Sequence, residues 1–194
     1  MFKHLSAVLV TMLVAVSISC ETDSSDNSSN DSYLPLSLGN KWTYEKADTN
    51  FTMEIKDLIE KGYENTFNIY VFNEDSAYAN KNESVLLLVK DGENNWKRDR
   101  ELLHYPLYFK QKWDYYIGKN YWITTVWQDD YNYECKAGKF FHCKMLHSTC
   151  QTETLTKTIE EIYAPEVGLL LKRVDNESDG KWDETIELLE SEIK

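Results

Sequence analysis

Proline and glycine are scarce in this 194-residue chain, at 3 and 7 residues. No Pro/Gly-rich stretch separates one part of the chain from another, so a linker of that kind between two domains is excluded. Basic clusters are missing too. Asp and Glu total 33 against 21 Lys and Arg, for a formal net charge of −12. Phosphate binding needs clustered Lys and Arg, so nucleic acid is excluded as a partner. The nearest basic run, Lys97-Arg98-Asp99-Arg100, is short and broken by an acid, and it reads as a solvated strand end or turn. Nucleophile motifs are absent as well: there is no Gly-x-Ser-x-Gly, no His-Glu-x-x-His and no phosphate loop. The acid pairs Asp129-Asp130 and Glu160-Glu161 are adjacent. On a strand, neighbours point to opposite faces, so neither pair forms a general acid/base dyad. The expectation is a non-enzymatic protein without a cofactor.

The one long apolar run is at the start, from Leu5 to Val16, behind the single positive charge of Lys3. It is too short for a bilayer span, which takes about 20 residues. Small residues then lead to Cys20. The pattern is that of a secretory signal over residues 1–19. It resembles a bacterial lipobox, in which the cysteine thiol takes a diacylglycerol, although Ser17 stands where Leu is usual. Residues 21–32, Glu-Thr-Asp-Ser-Ser-Asp-Asn-Ser-Ser-Asn-Asp-Ser, contain no apolar side chain. Such a stretch cannot offset its ordering entropy and reads as a polar tether, 20–32 including the anchor. The implied address is the bacterial cell envelope, with the chain held to the outer membrane by a lipid on Cys20.

The remaining residues, 33–194, suffice for one domain with its own core. They are rich in aromatics, and the whole chain holds 13 Tyr, 7 Phe and 6 Trp. Rings and branched side chains favour strands. Period-2 stretches recur at Trp42 to Glu45, Phe51 to Lys56, Thr66 to Phe72, Ser84 to Lys90, Tyr121 to Trp127 and Phe140 to Thr149. Thr152 to Tyr163, Val167 to Val174 and Trp182 to Leu189 continue the series, with turn chemistry at Asp175 to Gly180. Glu54 to Lys61 and Ile186 to Ile193 also carry helical spacing. The pattern predicts an all-β domain: a single antiparallel curved sheet or partial barrel of roughly ten strands with few short helical turns.

An internal echo joins Tyr33 to Tyr44 with Tyr105 to Tyr115. Both segments place Pro-Leu at one fixed distance before Lys-Trp-x-Tyr. Pro sets an extended start, and Trp then opens a strand with its ring available to a core. Two such units suggest two similar halves of one curved sheet.

Three segments together resemble a family. Pro35-Leu36-Ser37-Leu38-Gly39-Asn40-Lys41-Trp42-Thr43-Tyr44, Ala137 to Cys143 (AGKFFHC) and Tyr163 to Arg173 (YAPEVGLLLKR) occur in that order. They are similar to the motifs of secreted bacterial lipoproteins of unknown function, written Pro-Leu-x-x-Gly-Asn-x-Trp-x-Tyr, Ala-Gly-Thr-Phe-x-x-Cys and Tyr-Ala-Pro-Gly-Val-Gly-Leu-Val. Lys139 replaces the usual Thr, and Glu166 replaces the usual Gly, which alters the turn before Val167. The resemblance implies an antiparallel curved-sheet domain and carries over no catalytic residue.

Four groups of side chains are candidates for chemistry. Cys135, Cys143 and Cys150 remain after lipidation, and in an oxidising envelope a disulfide between two of them is expected. His142 and His147 lie nearby, but the spacing fits no zinc pattern, so no metal site is assigned. Asp175-x-Glu177-x-Asp179-Gly180 partly matches a calcium loop but has Ile186 where the bidentate Glu belongs, and it reads as a hairpin turn. Trp113, Trp122, Trp127 and Tyr121 form the ligand-face candidate, with alternation placing Tyr121 and Trp127 on one side of a strand and Trp122 on the other. The function expected is binding of an apolar or saccharide ligand, or of an envelope protein. The alternatives are a structural or surface-adhesion module and, less favoured, a hydrolase built from dispersed residues.

Overall fold

The computed structural model describes residues 32–64 and 66–194. The signal peptide, Cys20 and the tether up to Asp31 lie outside the described residues. Thirteen strands make the fold among those described, with no helix. They are β1 (Lys41–Lys46), β2 (Thr49–Glu54), β3 (Asp57–Tyr63), β4 (Phe67–Val71), β5 (Ser76–Lys81), β6 (Ser84–Lys90), β7 (Trp96–His104), β8 (Lys112–Ile117), β9 (Asn120–Cys135), β10 (Gly138–Gln151), β11 (Thr156–Ala164), β12 (Gly168–Asp175) and β13 (Glu184–Glu192).

The all-β, antiparallel class is what forms, but in two sheets. Eight strands run in the order β2-β1-β13-β12-β11-β10-β9-β8, and five in the order β3-β4-β5-β6-β7. The expected single sheet of about ten strands divides for a local reason. At the end of β2 the Ile55 amide bonds to Asn40 O (2.9 Å), while the next amide, Lys56, bonds to Val71 O (2.8 Å). Consecutive residues thus leave one sheet and enter the other. The two segments with helical spacing are β3 and β13. In β3, Leu58 and Ile59 pair with Tyr70 and Ile69, so ladder bonds decide what spacing left open.

The sheets face one another across the main core. Trp42, Tyr44, Leu146, Leu170 and Leu188 of the large sheet are all at or near zero exposure, and Val85, Leu102 and Leu103 come from the small one. Each such side chain contributes about 1.5–3 kcal/mol of transfer free energy. Ile69, Ala77, Ala79, Leu86 and Leu88 form a second cluster with Tyr63, Val71 and Trp96. Gly62 is needed there for space, since a Cβ would sit 2.7 Å from Ile59 and 2.8 Å from Ile69.

The long β9–β10 hairpin bends. Its ladder shifts register between Phe140 and Cys143, Cys143 and Met145, and Met145 and Leu146. Asp130 and His142 sit at the bend with φ of 54° and 55°, and their side chains pair across it. Such bulges add twist and turn a strand out of plane. The hairpin tip is thereby carried to β1, where Lys136 pairs with Glu45.

The three motif segments meet in space. Trp42 Nε1 donates to Val167 O (2.6 Å) and Tyr44 OH to Leu169 O (3.2 Å). Tyr33 OH donates to His142 O (2.9 Å). Glu166, with φ 60°, takes a left-handed turn where glycine is at ease, and its carboxylate accepts from Ser32 N (3.1 Å). Gly168 lies against Trp42, whose Nε1 would be 3.1 Å from an added Cβ.

The echo has a structural counterpart. Asn40 N bonds Ser37 O, Gly39 N bonds Ile55 O and Ile55 N bonds Asn40 O. Gln111 N bonds Tyr108 O, Lys110 N bonds Val126 O and Val126 N bonds Gln111 O. Trp42 and Trp113 follow at the same interval, both buried. The β1–β2 and β8–β9 hairpins occupy opposite edges of the large sheet.

Candidate functional site

The four aromatics of the ligand-face candidate do not share a surface. Trp113 is 7% exposed and stacks on His104 at 6.0 Å between centroids. Trp122 stacks on Tyr115 at 6.3 Å and 13°. Both face the core between the sheets. Tyr121 and Trp127 lie on the outward side, because Thr124 and Val126 between them point in. Trp127 is 60% exposed, with its ring 5.8 Å from that of His147. Tyr121 pairs with Tyr116, 64% exposed, at 4.7 Å, and its hydroxyl donates to Asp114 Oδ2 (3.0 Å). That bond raises the Tyr121 pKa. Thr125 and Thr149 lie between the two aromatic pairs, since Thr125 is in register with His147 and Thr149 with Ile123. Six residues of strand separate Tyr121 from Trp127, about 20 Å. The outward face of β8–β10 is therefore a long strip with rings at both ends and hydroxyls between them.

Sequence reasoning missed the second locus. Arg100, on β7, is 4% exposed rather than solvated, and its Nη2 donates to Glu161 Oε1 on β11. Glu161 is 2% exposed, so this ion pair crosses between the sheets inside the core. Burying two charges costs several kcal/mol per ion, recovered only through close pairing. Burial would lower the Arg100 pKa, and the Glu161 carboxylate together with Tyr163 and Tyr115 raises it by more. Burial foremost, then the same carboxylate, raises the Tyr78 and Tyr163 pKa values. The guanidinium also lies 5.9 Å from the Trp122 ring centroid. A cavity of about 70 Å³ adjoins the pair, lined by Leu34, Tyr78, Leu87, Arg100, Leu102, Glu161, Tyr163, Leu169 and Lys172. The acid pair Glu160-Glu161 divides as alternation requires: Glu161 points in, and Glu160 accepts from Arg173 Nη1 at 3.2 Å.

The disulfide expected among Cys135, Cys143 and Cys150 is not formed; all three are free thiols. Cys135 is in register with Gly138, Cys143 with Tyr131 and Cys150 with Trp122, so none opposes another. Burial pushes the Cys143 thiol up to about 11 and raises the other two, which keeps them protonated and poorly nucleophilic. Among the described residues no group of three or more His, Cys, Asp or Glu is placed to hold a metal ion. Asp175 organises its turn by accepting from Glu177 N (3.2 Å), Asp179 N (3.2 Å) and Gly180 N (2.8 Å).

Ser84, His104 and Glu101 form one further cluster. Ser84 Oγ donates to Glu101 Oε1 (2.6 Å), and His104 Nδ1 lies 3.1 Å from Ser84 Oγ and 2.9 Å from Glu101 Oε1. A nucleophile relay needs the hydroxyl on one imidazole nitrogen and the acid on the other. Here both crowd Nδ1, and the hydroxyl donates its hydrogen bond to the carboxylate rather than to the imidazole. The arrangement is a structural clasp between β6 and β7.

No family model and no curated protein sequence matches this chain. Two solved structures are similar to this chain. One is a candidate lipoprotein from Parabacteroides distasonis ATCC 8503, with TM-score 0.42 and 10% identity over 82% of this chain and 98% of that one. The other is a candidate exported protein with a YmcC-like fold from Bacteroides fragilis NCTC 9343, with TM-score 0.42, 9% identity and the same coverage. Neither likeness supplies a ligand or an activity.

Proposed function

We propose that this chain is a lipid-anchored lipoprotein of the bacterial cell envelope, held to the outer membrane through Cys20, whose β domain binds saccharide on the outward face of β8–β10. The resemblance of its three motifs to secreted lipoproteins, the signal sequence and the polar tether support the address. The outward ring strip carries the binding assignment: exposed Tyr116 and Trp127 and half-buried Tyr121, with Thr125 and Thr149 between them. Sugar rings have apolar C–H faces that stack on aromatic rings and hydroxyls that bond to Thr, Asp and His side chains. Exposed rings such as those of Tyr116 and Trp127 leave apolar surface in water that a stacked sugar would cover.

Calorimetric titration of the protein with bacterial-envelope oligosaccharides tests this. Trp127→Ala is expected to weaken binding about tenfold or more, the loss of one stacking contact of roughly 1.4 kcal/mol. Equal affinity in the wild type and Trp127→Ala would remove the strip from the function. Specific crosslinking of Tyr116 to an envelope protein would replace the saccharide by a protein partner. For the anchor, Cys20→Ala is expected to release the protein from membranes and to lose the mass of the lipid.

A further inference from the structure

The buried ion pair does not balance its own surroundings. Arg100 and Lys172 bring two positive charges to the cavity wall, and Glu161 brings one negative. Glu161 is engaged by Arg100 Nη2. Arg100 Nη1 is fully buried and has no hydrogen-bond partner. An orphaned guanidinium nitrogen in a protein interior is expensive, more so than a neutral donor. Lys172 stands on the same cavity; burial and then the Arg100 charge lower its pKa, and Glu161 and Glu184 only partly offset them. The rest of the wall is apolar or aromatic: Leu34, Leu87, Leu102, Leu169, Tyr78 and Tyr163.

We infer that this inter-sheet cavity is a binding site for a small monocarboxylate, with the carboxylate between Arg100 Nη1 and Lys172 and its short alkyl group against the leucines. One negative charge cancels the surplus positive one, and a carboxylate supplies two acceptor oxygens for two donors. The volume of about 70 Å³ admits a few atoms of water size and excludes a sugar or a nucleotide. Divalent oxyanions such as sulfate would over-neutralise the site and leave the apolar wall uncovered. Leu34 also lines an outer groove of about 440 Å³ with Ser32, Asn80, Asn82, Glu83, Val85 and Tyr105, so it stands between solvent and the cavity. The site is separate from the outward aromatic strip, lying on the opposite face of the large sheet.

Thermal unfolding of the full-length protein in sodium formate or acetate, against sodium chloride at equal ionic strength, tests the inference. A saturable rise in Tm of about 5 °C or more is expected once the carboxylate is at ~100 times its Kd. Saturation transfer from the protein to the acetate methyl group is expected under the same conditions. Arg100 variants risk unfolding, so Lys172→Met is the diagnostic change: it keeps the core side of the stem and is expected to abolish both effects. The inference is overturned by a rise equal to that in chloride, by no saturable rise, or by an undiminished rise in Lys172→Met.

Discussion

Residues 33–104 and 105–175 share hairpin registers at a fixed interval but end in different architectures, the first as seven strands and the second as five. Each begins with a Pro-Leu segment, a left-handed residue (Gly39 or Lys110), a buried amide (Asn40 or Gln111) and a hairpin opened by Lys-Trp-x-Tyr. Leu38 and Phe109, at equivalent positions, are even equally exposed at 51%. The hairpin registers match at the same interval, with Lys41 opposite Glu54 and Lys112 opposite Thr125. So do those of the later pairs, Ser76 with Val89 in β5–β6 and His147 with Glu160 in β10–β11. The halves diverge where Ile55-Lys56 leaves the large sheet while the equivalent Val126-Trp127 continues as β9, and again at one turn. In the first, Asn73-Glu74-Asp75 reverses the chain, with Asp75 N donating to Asn73 Oδ1 (2.9 Å), and β4 pairs with β5. In the second, the equivalent Lys144-Met145-Leu146 continues as β10. That turn decides whether the chain reverses as a new strand of the small sheet or runs on as one long strand.

The halves are also joined differently from how they are built. Arg100 belongs to the first and Glu161 to the second. Arg100→Met, which strands the buried carboxylate, is expected to cost about 3–5 kcal/mol, and the double change with Glu161→Met is expected to recover most of it. Denaturant titration of the two singles and the double reads this; a double variant as weak as the sum of the singles would break the link.

The equivalent tryptophans sharpen the comparison next. Trp42 Nε1 is bonded to Val167 O, whereas Trp113 Nε1 is buried without a partner. Trp→Phe shrinks both rings alike, so the difference between the two variants reports the N–H alone. Trp42→Phe is expected to lose about 1–3 kcal/mol more than Trp113→Phe. Equal losses in urea titrations would contradict the distinction.

The equivalent tyrosines give a pH test. Burial raises the Tyr44 pKa well above its ordinary value, helped by Tyr78, and burial also raises that of Tyr115. Burial pushes Tyr105 up to about 12. Unfolded tyrosines ionise near pH ~10, so above that pH the unfolded chain holds fewer protons than the folded one. Stability must then fall as pH rises from about 10 toward the folded values. Circular dichroism and tyrosinate absorbance are expected to change together, and Tyr44→Phe should shift that transition upward. Tyrosinate forming fully before unfolding would overturn this.

The smallest effect lies in the left-handed residues. Lys110, at φ 65°, carries a strain that Gly39, at φ 80°, avoids. Lys110→Gly is expected to gain about 0.5–1 kcal/mol, after offsetting the entropy of glycine in the unfolded chain, and Gly39→Ala to lose at least as much. Opposite signs in denaturant midpoints would invert the pairing.

Much of this was legible in the chain because strands announce themselves by alternation. Ser84 to Lys90 is β6 at both ends, and the echo picked out the paired hairpins. What stayed hidden was long-range. Arg100 sits in a run that looks solvated, and its partner is 61 residues away. One local sign existed: Glu161 falls in the same alternating row as Ile159 and Tyr163, an acid in an apolar line. Trp113, Trp122, Trp127 and Tyr121 are close in sequence, but β8 and β9 each carry rings on both sides, so the four fall on two surfaces. The division into two sheets depends on which partner each amide chooses at Ile55 and Lys56, and composition does not encode that choice.

Arg100–Glu161 and the bonds of Trp42 and Tyr44 to Val167 and Leu169 interlock the two halves into one cooperative unit. Native-state hydrogen exchange in low denaturant tests it most directly. Core amides of β5 and β6 in the small sheet and of β11 and β12 in the large one are expected to merge onto one opening free energy equal to that of global unfolding. A small sheet that exchanges through its own, lower-energy opening while the large sheet stays protected would contradict it.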